Sequence, residues 1–341
     1  MKLSYVKSLH NNKRGVIFGT GTPISNSMAE LFIMTKYLRP DLLEERNIDH
    51  FDAWARTFAD VGMSIEVAPK GGFRTTERFK AFTNLPEVIK LFREFTDIKM
   101  QSDIKLPLPT LEGGKPIIVK CEPHKELSKI MQLVNDNWES SIKDKTVLKL
   151  FNIVRSAPLD VRLVNPGLKE HKTSKANMTA QNVLRCYKET KKEKGTQIIF
   201  LNRGRSNVTG FDLYKDLMDK LVKAGIPKNE IALVQGTMKQ EKLDEIFSKA
   251  NKGEIRVLIG SMGKLGTGVN VQERLFAVHE MDVPYRPSDI EQGEGRMIRQ
   301  GNKYYDWGKA VRIYRYVTQG SDEAFSGDSY SWQIIEQKRR N

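Results

Sequence analysis

RVLIGSMGKLGTGVNVQERLFAVHEMD, residues 256–282, reads as two short buried strands joined by a glycine-rich connection. RVLIG and LFAVHEMD are short, mainly apolar runs, the signature of strands covered on both faces of a sheet. Working outward, the same rhythm recurs. Upstream lie the strand TQIIFLN, the amphipathic helix GFDLYKDLMDKLVKAG with Leu213, Leu217 and Leu221 aligned, the strand IALV, and the helix QEKLDEIFSKA. Downstream, AVRIYRYV supplies a last strand. Alternating strands and helices with short apolar strands predict a parallel α/β sheet from about residue 177 to 320. Ligands of such sheets sit at the carboxyl ends of the strands. The turns after TQIIF and IALV, the SMGKLGTGVN loop and the end of HEMDVPYR are therefore expected to open on one edge.

The stretch DIEQGEGRMIRQGN, residues 289–302, follows directly. Ser288 and Glu291 have capping-box spacing, which predicts a helix through this stretch. At ~100° per residue, Gln292, Arg296 and Arg299 share one face, while Ile290 and Met297 face the sheet. Guanidinium groups fork onto phosphate oxygens, so this helix suits charge developing on a transferred phosphoryl group. A solvated basic face has the same pattern.

The N-terminal part is less regular. GVIF, ending in Gly19–Pro23, reads as a buried parallel strand entering a tight turn, followed by a capping box at Ser27 and Glu30 and a helix ended by Pro40. A strand, a Gly/Thr turn and a helix start could sense a phosphate, and an ordinary β–α turn looks the same. Phe51, Trp54, Ala55 and Phe58 form a helical stripe read as core. LPEVIKLFREF repeats the pattern, and the intervening APKGGFRTTERFK reads as a basic loop. Residues 101–116 read as a linker, with further helices after it.

The 341 residues carry a net charge of +14, which favours a polyanionic partner, nucleic acid first. The two cysteines, Cys121 and Cys186, lack paired spacing, and none of the five histidines has ligand spacing. No metal site and a reducing, cytoplasmic setting are expected. No run approaches the ~18 apolar residues of a membrane span.

These residues carry a resemblance. GTGTPISNSMAELF resembles motif III of superfamily-two helicases, in the Gly-Thr-Pro-x-x-Asn form of Swi/Snf-type translocases. TQIIF resembles motif IV, IGSMGKLGTGVNVQ motif V and EQGEGRMIRQGN motif VI, in the family's order. HFDAWARTFADVG, LPEVIKLF, VPYRPSDIEQGEGRMIRQGN and RYVTQG…SYSWQIIEQK are similar to the branch of large phage and conjugative-element helicase-like proteins often fused to adenine-specific DNA methyltransferases. The resemblance implies a RecA-like second lobe at 177–320, a remnant of the first lobe at 1–48, a helical insertion and linker at 49–176 and a C-terminal helix at 321–341. It implies that ATP lies between two lobes, with Arg296 and Arg299 as arginine fingers and Gln292 near the nucleotide. Gly266, Thr267, Gly268, Val269 and Asn270 would couple nucleotide to DNA. Thr20, Gly21, Thr22 and Pro23 would link hydrolysis to strand movement. Ser206, Asn207, Gly236 and Thr237 would contact the phosphate backbone of double-stranded DNA.

The departures are as informative. The phosphate loop G-x-x-x-x-G-K-[ST] and the Mg²⁺-binding acidic box are missing, and the family places both upstream of GTGTP. Asp244-Glu245 lies within an amphipathic helix, and Asp322-Glu323 follows a loop. Gly293 stands where the branch usually has arginine. The expectation is the motor half of a DNA-dependent ATPase, without hydrolysis by this chain alone, its first lobe supplied by another or a larger polypeptide. If so, the strand at Val16–Phe18 would be poorly packed, paired with another chain or attached to the second lobe. The alternative is a non-catalytic DNA-binding or docking module of a larger methylation or restriction protein. A dinucleotide enzyme is disfavoured, since no G-x-G-x-x-G follows a first strand.

Overall fold

A computed structural model describes residues 16–20, 29–67, 73–99, 106–137, 140–141, 144, 146–205, 209–266, 270–284, 287–295, 297–319, 328 and 332. The chain divides into two compact units, the main body of the second beginning at Leu106.

The first unit contains helices α1 (Ala29–Leu38), α2 (Pro40–Glu45) and α3 (Phe51–Phe58), strands β1 (Ala59–Val67) and β2 (Phe73–Phe82), and helix α4 (Leu85–Arg93). Pro40 separates α1 from α2 and opens the latter at a position where its missing N–H costs nothing. Trp54 organises the core. Its ring lies 5.7 Å from those of Phe32 and Phe58 and 6.2 Å from Phe82, and Leu43, Val88 and Leu91 complete the buried cluster. The stripe on α3 is therefore core at Trp54 and Phe58, while Phe51 is 44% exposed. Two expectations are corrected. The segment read as helix and loop contains an antiparallel β1–β2 ribbon. Residues 16–20 form no strand, and Ile17 is 96% exposed. A lone apolar run cannot satisfy its backbone as a strand without a neighbour.

The second unit runs β3 (Ile117–Cys121), α5 (Lys125–Asp136), α6 (Val147–Ser156), α7 (Lys175–Glu189), β4 (Thr196–Phe200), α8 (Leu213–Lys223), β5 (Ile231–Val234), α9 (Gln240–Lys252), β6 (Val257–Gly260), α10 (Met262–Leu265), β7 (Leu275–Glu280), α11 (Pro287–Glu294), α12 (Lys303–Asp306) and β8 (Arg312–Thr318). The sheet has the order β3-β8-β7-β4-β6-β5, and every pairing in it is parallel. β4, β6 and β7 are buried along their whole length, as expected of short, mainly apolar strands covered on both faces. β3 comes from the end of the segment read as linker and helix, so the sheet reaches back well before residue 177. Right-handed crossovers place α7 and α8 on one face and α9, α10 and α11 on the other; α7 packs on α8, and α10 on α11.

Polar groups inside this sheet are paired. Arg256, 4% exposed, closes the C-terminal end of α7 by donating to the carbonyls of Tyr187 (2.8 Å) and Thr190 (3.1 Å), where the helix dipole favours a cation. His279 on β7 lies between Gln197 Oε1 on β4 (3.0 Å from Nε2) and the Tyr316 hydroxyl on β8 (2.9 Å from Nδ1). Gln197 donates its amide N–H to the carbonyl of Val183, which leaves its oxygen to accept from Nε2–H. The imidazole is thus neutral, and burial pushes its pKa down to about 3.

The unfolded chain protonates this histidine near pH ~6.5. The stability it contributes is therefore complete above that pH and is lost as pH falls toward about 3. In an NMR titration of the folded protein, the His279 ring signals should stay fixed between pH 8 and roughly pH 4.5, well above its folded pKa; a midpoint near 6.5 would contradict the assignment.

Candidate functional site

In the strand order, the connection after β4 leads to one side and the connections after β6 and β7 lead to the other, so the chain reverses direction between β4 and β7. A crevice opens at the carboxyl ends of strands at such a point. Here it is tied shut by Asp282. The backbone N–H groups of Asn202 (2.9 Å) and Arg203 (2.8 Å) and the Asn202 amide (2.9 Å) all donate to its carboxylate. Asn202 Oδ1 accepts from the N–H of Met262 at 2.9 Å, which opens α10. One aspartate thus joins the loops after β4, β6 and β7. Burial raises its pKa, opposed by Asn202, Lys175 and Arg203. Lys175, itself buried, donates to the Met281 carbonyl at 2.9 Å and pairs with Asp328. Further along this edge, Arg205 joins Gln235 to Asp212. Sequence reading missed Asp282 and Asn202; the available signal was a polar residue closing each of two apolar strand runs.

The connections β6→β7 and β7→β8 join parallel strands, so each must return down the full height of the sheet. Gly266 follows α10 directly, its N–H on the Met262 carbonyl at 2.6 Å; a Cβ here would come within 2.5 Å of that oxygen. Val271 is buried, and the carbonyl of Asn270 accepts from Asn251 at the end of α9. Asn270 therefore lies at the amino-terminal edge of the sheet. The second return segment arrives beside it. Glu294, at the end of α11, is held by Arg315 of β8, which also donates to Glu280 at 2.8 Å. Ile290 and Met297 are fully buried, as their spacing predicted. Asn302 donates to the carbonyls of Leu275 (2.9 Å) and Met297 (3.0 Å), and the N–H of Lys303 reaches Glu273 at 2.9 Å. Gly301, with φ of +85°, lies against Gln272.

Arg299 sits in this second segment. It is exposed, and its guanidinium has no partner among the described residues. A free guanidinium on a backbone anchored at Met297 and Asn302 fits a phosphate group.

Three expectations change. The helix through 289–302 ends at Glu294, and 297–301 are bends and turns. Gly293 and Gly295 weaken helix, and the chain must turn to bring Asn302 to Leu275. The SMGKLGTGVN loop begins with a short helix, α10. The end of that loop does not open on the carboxyl edge: Asn270 lies at the amino-terminal edge, where the arginine segment also arrives. Gly293 itself packs on β4, where a Cβ would meet Phe200 at 3.1 Å, so the glycine serves close helix–sheet approach.

Gly236 (φ +58°) and Thr237 are exposed at the carboxyl edge, near the Arg205–Gln235 contact. Thr20 lies in the irregular 16–20 segment of the first unit. Gly21, Thr22, Pro23, Ser206, Asn207, Thr267, Gly268, Val269 and Arg296 lie outside the described residues, as does the side chain of Gln292 on α11. Asp244 and Glu245 are inside α9, bound to Gln240 and Lys249. Among the described residues, one trio of acids, Asp160, Glu170 and Asp216, could share a cation, but Arg162 pairs with all three and Lys220 with two. It does not fit Mg²⁺.

The family comparisons fall on these two units. Residues 2–100 match the family model described as probable helicase domain, and residues 177–301 that of the helicase conserved C-terminal domain. The second matched span runs from α7 to the end of the arginine segment. No curated protein matches the sequence. The chain is similar to the crystal structure of the C-terminal part of Fun30 ATPase domain, at 16% identity and a TM-score of 0.46, over 68% of this chain and 99% of that one. It is also similar to the DUF1998 helicase MrfA bound to DNA, at 18% identity and a TM-score of 0.33, over 47% of this chain but 20% of MrfA. No described helix is long and apolar enough to cross a membrane.

Asp282→Ala leaves two backbone N–H groups and the Asn202 amide without their acceptor. Urea unfolding should show a loss of about 3 kcal/mol; a loss below about 1 kcal/mol would mean that the carboxylate does not hold the three loops.

Proposed function

We propose that the chain is the second-lobe half of a DNA-dependent ATPase, a Swi/Snf-like motor that moves along double-stranded DNA. The observation that carries this reading is Arg299, exposed and without a partner among the described residues, on a segment locked to the sheet through Met297 and Asn302. In this reading ATP binds against the amino-terminal edge, facing a first lobe that supplies the phosphate loop and Mg²⁺. Arg299 and Arg296 bind the γ-phosphate and stabilise charge as the phosphoryl group transfers. Gln292 orients the nucleotide. Gly266–Asn270 carry the closure of the lobes to the DNA, and Thr20, Gly21, Thr22 and Pro23 couple it to the first lobe.

Duplex DNA is held at the other edge, by Gly236 and Thr237 with Ser206 and Asn207. Phosphate contacts dominate such binding, which accords with the net charge of +14. The missing lobe comes from another chain or from a larger polypeptide of the phage and conjugative-element branch associated with adenine-specific DNA methyltransferases. Two buried free cysteines accord with a cytoplasmic setting.

The test uses the chain assembled with a polypeptide that bears the phosphate loop. DNA-stimulated ATP turnover should fall by on the order of 10³-fold in Arg299→Ala. Duplex affinity should stay within about twofold of the parent and should drop at least about tenfold between 50 and 200 mM salt. Turnover unaffected by the substitution, or duplex binding indifferent to salt, would overturn the proposal.

A further inference from the structure

The amino-terminal edge of the sheet carries a cationic strip with exposed aromatic rings. It is built from the segments that precede four adjacent strands, β8, β7, β4 and β6. Lys188, Lys191, Lys192 and Lys194 lie between the last turn of α7 and β4, and Lys252 ends α9; all five are exposed. Lys191, Lys192, Lys194 and Lys252 have no ion-pair partner among the described residues. The strip is continuous. Gly253, in the left-handed conformation with φ of +75°, lies against Lys194 and Arg274. Arg274 sits 5.9 Å from the Trp307 ring, and its guanidinium donates to the carbonyl of Glu193 at 2.5 Å. Trp307 is 37% and Tyr305 48% exposed. The acids nearby are partly spoken for: Glu193 pairs with Lys309 and Glu273 with Lys303, while Glu254 and Asp306 are exposed.

Four adjacent strands span ~14 Å at their usual spacing. That length accommodates two or three nucleotides of an extended strand. A row of cations beside exposed aromatic rings suits a backbone tracked by charge, with bases stacked on rings. A duplex hides its base faces, so it could use the lysines but not Trp307 or Tyr305. We infer that this edge is a binding surface for single-stranded nucleic acid: Lys191, Lys192, Lys194 and Lys252 hold the phosphates, and Trp307 and Tyr305 stack unpaired bases. It is distinct from the duplex contacts proposed at the carboxyl edge, shares the amino-terminal edge with the nucleotide proposed beside Arg299, and is read in the chain without a first lobe or ATP.

The test is fluorescence anisotropy with the full chain and labelled dT12, at several salt concentrations, with a duplex of equal length beside it. The double charge reversal Lys191→Glu/Lys192→Glu should weaken dT12 binding at least about tenfold and reduce the salt slope by about 1.4. Tyr305→Ala and Trp307→Ala should each weaken it about fivefold or more with the slope unchanged. Lys125→Glu/Lys129→Glu, the same charge change on exposed residues of α5, should shift it by less than about twofold. Equal losses in both charge-reversed proteins would reduce the effect to net charge and overturn the inference. So would charge reversal acting on dT12 and duplex alike while both aromatic variants bind as the parent does. A failure of ATP turnover in the assembled motor leaves these readouts unaffected.

Discussion

The second unit depends on one buried carboxylate. Without Asp282, the loops after β4, β6 and β7 would each have to satisfy their own first backbone groups at the point where the chain reverses direction. The carboxylate accepts from two backbone N–H groups and an amide of the loop after β4 and so ties that loop to the end of β7. The third is added through Asn202 and Met262. The group is retained inside the protein because its hydrogen bonds and the nearby Lys175 offset its desolvation. Both return segments start from this knot, so their path down the sheet is defined at the top by Asp282 and at the bottom by Asn302 and Asn251.

That path has a functional consequence. The segments that resemble motifs V and VI begin at the carboxyl edge and end at the amino-terminal edge. Residues early in each segment and residues late in it therefore face different surroundings. Gly236 and Thr237 stand at one edge, Asn270 and Arg299 at the other, joined by a sheet whose central strands are wholly buried. Close-packed interiors transmit displacement rather than absorb it. In the proposed function, one end of this body would bind phosphate and the other duplex DNA, as a motor lobe requires.

Much of this was legible in the sequence. TQIIF, IALV, RVLIG, LFAVHEMD and AVRIYRYV announced their strands through short, mainly apolar runs, and Ile290 and Met297 announced their burial by spacing. Other features were hidden for physical reasons. The strand Ile117–Cys121 is an edge strand with an alternating burial pattern, and its run follows a proline-rich stretch that reads as linker. The ribbon Phe73–Phe82 has few apolar residues and pairs only with its neighbour in sequence. The break after Glu294 is set by the tertiary anchors at Arg315 and Asn302, which overrule helical spacing. Above all, sequence spacing says which residues share a helix face but not how far down the sheet a connection has travelled, so the amino-terminal position of Asn270 and Arg299 could not be read from it.

The most direct test of this account is where a nucleotide touches the chain. In the assembled motor with duplex DNA, an ATP analogue carrying a photoreactive group on its γ-phosphate should label the peptide spanning residues 297–303. Label confined to the loops at the carboxyl edge, residues 201–205, 235–237 and 261–262, would contradict it, and would mean that the return segments serve the fold and not the nucleotide.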